Sequence, residues 1–247
     1  MSLTQLLYDF FERAWPSAAL WAFLFPAALL YGVAAAWLAG WLRVQRGWRV
    51  GYTRKLFHFL IFTAAGVLQL VWGLPVVVVF GTAISLLVLW AVYKGAHSPF
   101  YLALARPSDA PQEKLFILIP LLTTATGGVL ANLFFGHWAA IGYLVGGWGD
   151  AVGEPVGSRW GKHRYKVPSM AGVAATRSLE GSAAVFLVSA IVAFIGLQAQ
   201  EIQFETALPY ALLIALAGTS IEAISTHGLD NLTIQLAAAG TAYWLVN

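Results

Sequence analysis

The chain has 247 residues, of which 60% are hydrophobic and only 10% charged, against about 25% charged in an ordinary soluble domain. That composition excludes a water-soluble globular domain and implies a polytopic membrane protein. The absence of cysteine rules out disulfides, thiolate metal sites and cysteine nucleophiles. A net charge of +3 in so apolar a chain suits topology and anionic head groups better than nucleic acid, for which no motif is present.

In chain order, Leu3, Leu6, Leu7, Phe10 and Phe11 share one helical face that ends before Pro16. The spacing predicts an amphipathic interfacial helix over 1–15, with neither the basic start nor the small-residue cleavage site of a signal peptide. A hydrocarbon core about 30 Å thick takes roughly 20 apolar residues per helix. Such segments follow near 18–40, 56–72, 75–93, 115–135, 138–158, 179–197, 207–226 and 229–246. The expectation is an all-α integral membrane protein in which 1–247 form a single membrane domain. It has about eight transmembrane helices, or seven if the last pair, joined by the short turn "STHGLDNL", is re-entrant. The polar gaps 94–114 and 159–178 are too short to bury a core of their own.

With eight spans, thirteen of the fourteen Lys and Arg fall in loops on one side, and Arg13 stands opposite with Asp9, Glu12, Glu201 and Glu205. The positive-inside rule makes the basic side cytoplasmic and puts both termini outside.

The acids inside this apolar chain carry the functional signal. In "GDAVGEPVGSRWGKH" (149–163), Asp150, Glu154, Ser158 and Lys162 recur every four residues, and Gly149, Gly153, Gly157 and Gly161 form the adjacent stripe. Small residues at that spacing commonly serve helix packing. Ionisable side chains within a membrane segment are costly and point to a polar cavity. Pro155 is expected to kink or end the helix there. Glu180 in "TRSLEGS", Glu222 and Asp230 fall at the same membrane face, although helix-start stabilisation and capping are ordinary roles for Glu180 and Asp230. His227 belongs to the last turn.

Carboxylates and cations at one depth suit a metal-bound polyphosphate, because Mg²⁺ is typically held by one or two carboxylates plus substrate phosphates. No Walker A loop is present. A further cluster, "YTRKLFHF" (52–59), brings Arg54, Lys55 and His58 to the cytoplasmic start of the second span. Arg54 and Lys55 read equally well as topology signals, whereas His58 lies one turn deeper, where it could bind phosphate, act as a base or pair with a carbonyl.

Four stretches, "RKLFHF" (54–59), "GDAVGEPVGSRWGKHRYKV" (149–167), "TRSLEGS" (176–182) and "IEAISTHGLDNLTI" (221–234), together resemble a superfamily of membrane CTP-using enzymes. It comprises dolichol kinase, phytol and farnesol kinases, the CTP-dependent diacylglycerol kinase of fungi and the phosphatidate cytidylyltransferases. The resemblance implies Asp150 as the leading metal or catalytic carboxylate, with Glu154, Glu180, Glu222 and Asp230 as further metal candidates and His58 or a carboxylate as the base. It implies nucleotide contacts from Lys162, His163, Arg164, Lys166, Arg177, Arg54, Lys55 and the four stripe glycines, so that 149–182 is the principal active-site region.

The implied reaction moves the terminal phosphate of a nucleoside triphosphate, CTP by resemblance, with Mg²⁺, to a membrane lipid alcohol at the cytoplasmic face. The acceptor class is an isoprenoid alcohol or diacylglycerol, the bilayer is the working environment, and a homodimer is a compatible assembly. "GLDNLT" is closer to the polyprenol-kinase branch. Arg177 stands where many relatives carry Lys, and the closing motif has one Asp where phytol kinases often show two. A cytidylyltransferase is the alternative reading. A transporter is a third, disfavoured because the acids lie at one depth and no inverted repeat is evident.

Overall fold

The computed structural model describes residues 2–170, 173–226 and 228–247; His227 lies outside them. The first helix, α1 (Leu3–Ala14), is capped by Ser2, whose Oγ accepts from the Gln5 N–H at 3.2 Å. It buries Phe10 and Ala14 and leaves Tyr8 and Phe11 exposed. The long helices follow as α2 (Ala18–Gln45), α3 (Val50–Trp72) and α4 (Leu74–Lys94). A short α5 (Pro99–Leu104) comes next, then α6 (Leu115–Phe135), α7 (Ala139–Trp160), α8 (Leu179–Gln198), α9 (Phe204–Ile224) and α10 (Asp230–Val246). Apolar residues on all sides of these helices fit burial in a bilayer.

Six segments among the described residues are long and apolar enough to cross a membrane. One of them, Leu115–Trp160, has 46 residues, or roughly 70 Å at 1.5 Å per residue, about twice the hydrocarbon thickness. It turns back on itself at Gly136, whose φ of 58° suits glycine. Consequently the start of α6 and the end of α7 stand at the same end of the bundle. At 17 residues, α10 is the shortest of the long helices.

The bundle has two apolar cores. One gathers α2 to α6 around Phe57, Ile61, Phe80, Ile84 and Leu87. The other gathers α7 to α10 around Ile141, Val145, Val192, Ile214 and Ile234. The hinge between them is α7, whose glycines let three neighbours approach its backbone. A Cβ on Gly142 would come within 2.6 Å of the Gln235 carbonyl oxygen on α10, and one on Gly147 would collide with Phe62 on α3.

One expectation is narrowed here and another changes. Pro155 lies inside α7, which continues to Trp160; the proline deprives the Ala151 carbonyl of its helical N–H partner without ending the helix. Within the segment 159–178, expected as a basic loop, stands an antiparallel hairpin of β1 (Arg164–Met170) and β2 (Val173–Ser178), with Tyr165 opposite Arg177. The membrane body is helical, and this hairpin is the sheet added to it.

Candidate active site

The basic residues of α3 lie within a helix that begins six residues earlier than the apolar run alone suggests. Lys55 is 6% exposed, and such burial requires a partner. It finds one in Asp150 on α7, whose Oδ1 accepts from Nζ at 2.6 Å. His58, one turn deeper, places Nε2 3.3 Å from the Gly146 carbonyl oxygen and 3.6 Å from Asp150 Oδ2. The longer distance is an ion-pair separation, beyond hydrogen-bond range. A bond to a carbonyl requires the His58 proton on Nε2, which leaves Nδ1 as the ring's acceptor.

One turn beyond Asp150, Glu154 Oε2 accepts from Arg54 Nη2 at 3.1 Å and from Arg106 Nη2 at 2.9 Å. On the far side, Arg177 of β2 donates Nη1 to Glu222 Oε1 on α9 and Nη2 to Asp230 Oδ2 at 3.3 Å. Nη2 also reaches the Ser225 carbonyl at 3.3 Å. The planar fork thus ties the end of α9 to the start of α10, a geometry that a lysine ammonium does not reproduce. The other carboxylate oxygen of Asp230 accepts from the N–H groups of Gly228 at 3.1 Å and Asn231 at 3.0 Å. Capping and cavity roles therefore coexist in one side chain.

Most of these groups, though not Arg54 or His58, line a single cavity of about 300 Å³. Asp150, Glu154, Glu222 and Asp230 supply its acids; Lys55, Arg106, Arg164 and Arg177 supply its cations. The four acids come from three helices and the cations from one helix, a connecting segment and the hairpin, so no single stretch of sequence contains the site.

The stripe glycines have a packing role. A Cβ on Gly149 would meet Ser189 Oγ at 2.6 Å, one on Gly153 would meet Val185 at 2.9 Å, and one on Gly157 would meet Ser178 Oγ at 2.8 Å. They let α8 lie against α7, and Gly153 and Gly157 also form part of the cavity wall. Gly161 is the residue at which α7 ends.

Other sequence-predicted residues stand apart from the cavity lining. Glu180 Oε1 accepts from His163, with Nδ1 at 2.7 Å, and its carboxylate also receives the His163 backbone N–H at 3.3 Å. This pair fastens the foot of the hairpin to the first turn of α8. Lys162 lies beyond the end of α7 and is exposed, as is Lys166.

Arg106, which lines the cavity, and Asp109, a buried acid that lines none of the cavities, escaped the sequence reading. Arg106 gave only a topology signal, because its partner Glu154 is 48 residues away. Asp109, in the connection between α5 and α6, is 3% exposed, and burial pushes its carboxyl above the ordinary carboxylate range.

Over 127 residues the chain is 35% identical to a phytol kinase from Synechocystis sp., a match covering 48% of this chain and 52% of that protein. The chain spans about half the length of the curated relative it matches. No family model and no solved structure matches the chain.

The donor set fits a metal shared with phosphate better than a metal held by protein alone. Among the described residues, no group of three or more His, Asp or Glu side chains is placed to hold a metal ion. Yet Glu222 Oε2 is buried without a hydrogen-bond partner, and Arg106 Nε is likewise buried and unsatisfied. A lone carboxylate oxygen and an unsatisfied guanidinium N–H on one cavity wall are donors for a cation and for an anion, and Mg²⁺ commonly completes its octahedron with phosphate oxygens and water.

Proposed function

We propose that the protein is a lipid-alcohol kinase that transfers the terminal phosphate of a nucleoside triphosphate, CTP in our reading, to an isoprenoid-type alcohol at the cytoplasmic face. One observation carries this reading: a cavity lined by four acids and four cations at the end of an apolar bundle, joined through His58 to an apolar groove. The resemblance to a phytol kinase supports the same class of acceptor.

Phosphoryl transfer demands mainly positioning and charge stabilisation. In this reading Arg177, Arg164, Arg106 and Lys55 bind the phosphate oxygens, exchanging some of their carboxylate partners for the nucleotide. Glu222, with Asp150 or Asp230, would hold Mg²⁺. When bound, that ion supplies neutralising charge between the phosphates. His58, with Nε2–H donated to Gly146, presents Nδ1 to the alcohol and takes its proton as the oxygen attacks the terminal phosphorus. Asp150 lies close enough to stabilise the imidazolium that results. The phosphorus–oxygen bond to the nucleoside diphosphate breaks as the new ester bond forms.

The deciding experiment offers purified protein Mg²⁺, CTP labelled at the γ or the α phosphate, and farnesol, phytol, a polyprenol or diacylglycerol in turn. Label from the γ position in an extracted lipid phosphate, absent with Asp150→Asn, is the expected result. Label from the α position entering lipid when phosphatidate is supplied would replace the kinase reading with a cytidylyltransferase.

A further inference from the structure

The charged cavity does not end at Asp150. A small cavity of about 50 Å³ shares Lys55, Asp150 and Asp230 with it. That cavity in turn shares Arg54, His58, Pro120 and Asn231 with a groove of about 110 Å³. Beyond these four residues the groove is almost wholly apolar: Ile61 and Phe62 from α3, Ile84 and Val88 from α4, Ile117 and Leu121 from α6. It follows α3 from Arg54 to Phe62 and α6 from Phe116 to Thr124, roughly 12 Å along each at 1.5 Å per residue. A charged chamber, a small cavity walled by a histidine and an apolar slot thus stand side by side, each sharing wall residues with the next.

We propose that this groove holds the hydroxyl-proximal stretch of the substrate's hydrocarbon tail, and that Ile84 and Val88, its α4 wall, set which tails fit. The assignment rests on the lipid-alcohol reading and specifies where that alcohol lies. Its occupant must be apolar along its length and polar at the end meeting His58, which describes a long-chain primary alcohol. The remainder of a long tail extends beyond the groove into the bilayer.

The α4 wall is rigid for a reason that lies behind it. Ile84 is 6% exposed, and its Cδ1 would be 2.6 Å from a Cβ on Gly32 of α2. Ile84 therefore fills the space that the glycine leaves, and α2 offers no room for a larger side chain to retreat. A phenylalanine at position 84 has only the groove to enter, and one at Val88 narrows it as well.

The test uses the full chain in detergent and a long-chain primary alcohol carrying a diazirine a few carbons from the hydroxyl. Photolysis should label peptides of α3, α4 and α6 at the groove, and unlabelled phytol should compete. Ile84→Phe and Val88→Phe should raise KM for methyl-branched long-chain alcohols about tenfold, the scale expected for losing contact with two methylenes. KM for the nucleotide should stay within about twofold. Should Ile84→Phe fail to give a monodisperse protein, Leu121→Phe on the opposite, half-buried wall carries the same KM test. Label confined to α8 and α9, or an unchanged alcohol KM in well-folded variants, would overturn the groove while leaving the kinase standing. Label in the groove from a protein that phosphorylates no alcohol would overturn the kinase reading and leave the groove.

Discussion

Two polar clusters lie inside this bundle, and they differ in what surrounds them. At the charged end, Asp150, Glu154, Glu222 and Asp230 face Lys55, Arg106 and Arg177 across a cavity, and buried atoms of Glu222 and Arg106 remain unsatisfied. Deeper in the bundle, Gln69 Nε2 donates to Asn132 Oδ1 at 2.5 Å, and Asn132 Nδ2 donates to the Gly128 carbonyl at 2.9 Å and to Tyr143 Oη at 3.0 Å. That cluster uses neutral amides and a phenol and likewise leaves one buried atom, Gln69 Oε1, unsatisfied, but its side chains line none of the three cavities described above. It joins α3, α6 and α7 and serves the fold. Polarity in a membrane segment therefore does not by itself mark a site; charge beside a cavity does.

The sharpest way to break that comparison is Asp150→Asn. Turnover should fall on the order of a thousandfold or more, as when a preorganised electrostatic group is removed. The variant should also inactivate at lower temperature, because breaking a buried pair costs about 3–5 kcal/mol. Combining it with Lys55→Met should restore the thermal midpoint and leave turnover absent, which separates the two contributions in one cycle. Recovery of turnover in the double variant would remove Asp150 from the chemistry.

Arg177→Lys tests the fork. One ammonium cannot reach Glu222, Asp230 and the Ser225 carbonyl together, so nucleotide KM should rise about ten- to a hundredfold in steady-state assays. Asn132→Ala should do the opposite of the charged-end variants. Its expected cost is about 1–3 kcal/mol of stability, from unpaired amide and phenol groups, with both substrate KM values held within about twofold. Collapse of turnover in a fully folded Asn132→Ala protein would make the amide cluster part of the site. The smallest effect is reserved for Glu180→Gln, which loses a half-exposed contact to His163 and should change turnover by no more than about threefold. A thousandfold loss there would return Glu180 to the catalytic set that the family resemblance implies.

How much was legible beforehand differs by residue. The helical segments near 18–40, 115–135 and 179–197 correspond to α2, α6 and α8, because twenty apolar residues in sequence report their solvent directly. Asp150, Glu154, Glu222 and Asp230 were legible as candidates because carboxylates are rare in such segments, and all four line one cavity. Arg106 was illegible because a loop arginine carries no mark of a partner 48 residues away. The hairpin of β1 and β2 was hidden because a short polar segment without strict alternation reads as a loop. The pairing of Glu180 with His163, apart from the cavity lining, was illegible for a related reason: a family motif names a residue type at a position, while the direction of its side chain depends on a hairpin the motif does not describe.

The sequence by itself determined the solvent of each segment, the all-helical membrane class and the concentration of charge at one end, since these follow from composition and periodicity along a single chain. Only the tertiary structure decided which cation meets which carboxylate, which glycines serve as packing faces, and that an apolar groove shares His58 with the small cavity beside the charged one. Those are relations between helices, set by how closely α3, α8 and α10 approach the glycine-lined surface of α7. No local pattern encodes that distance.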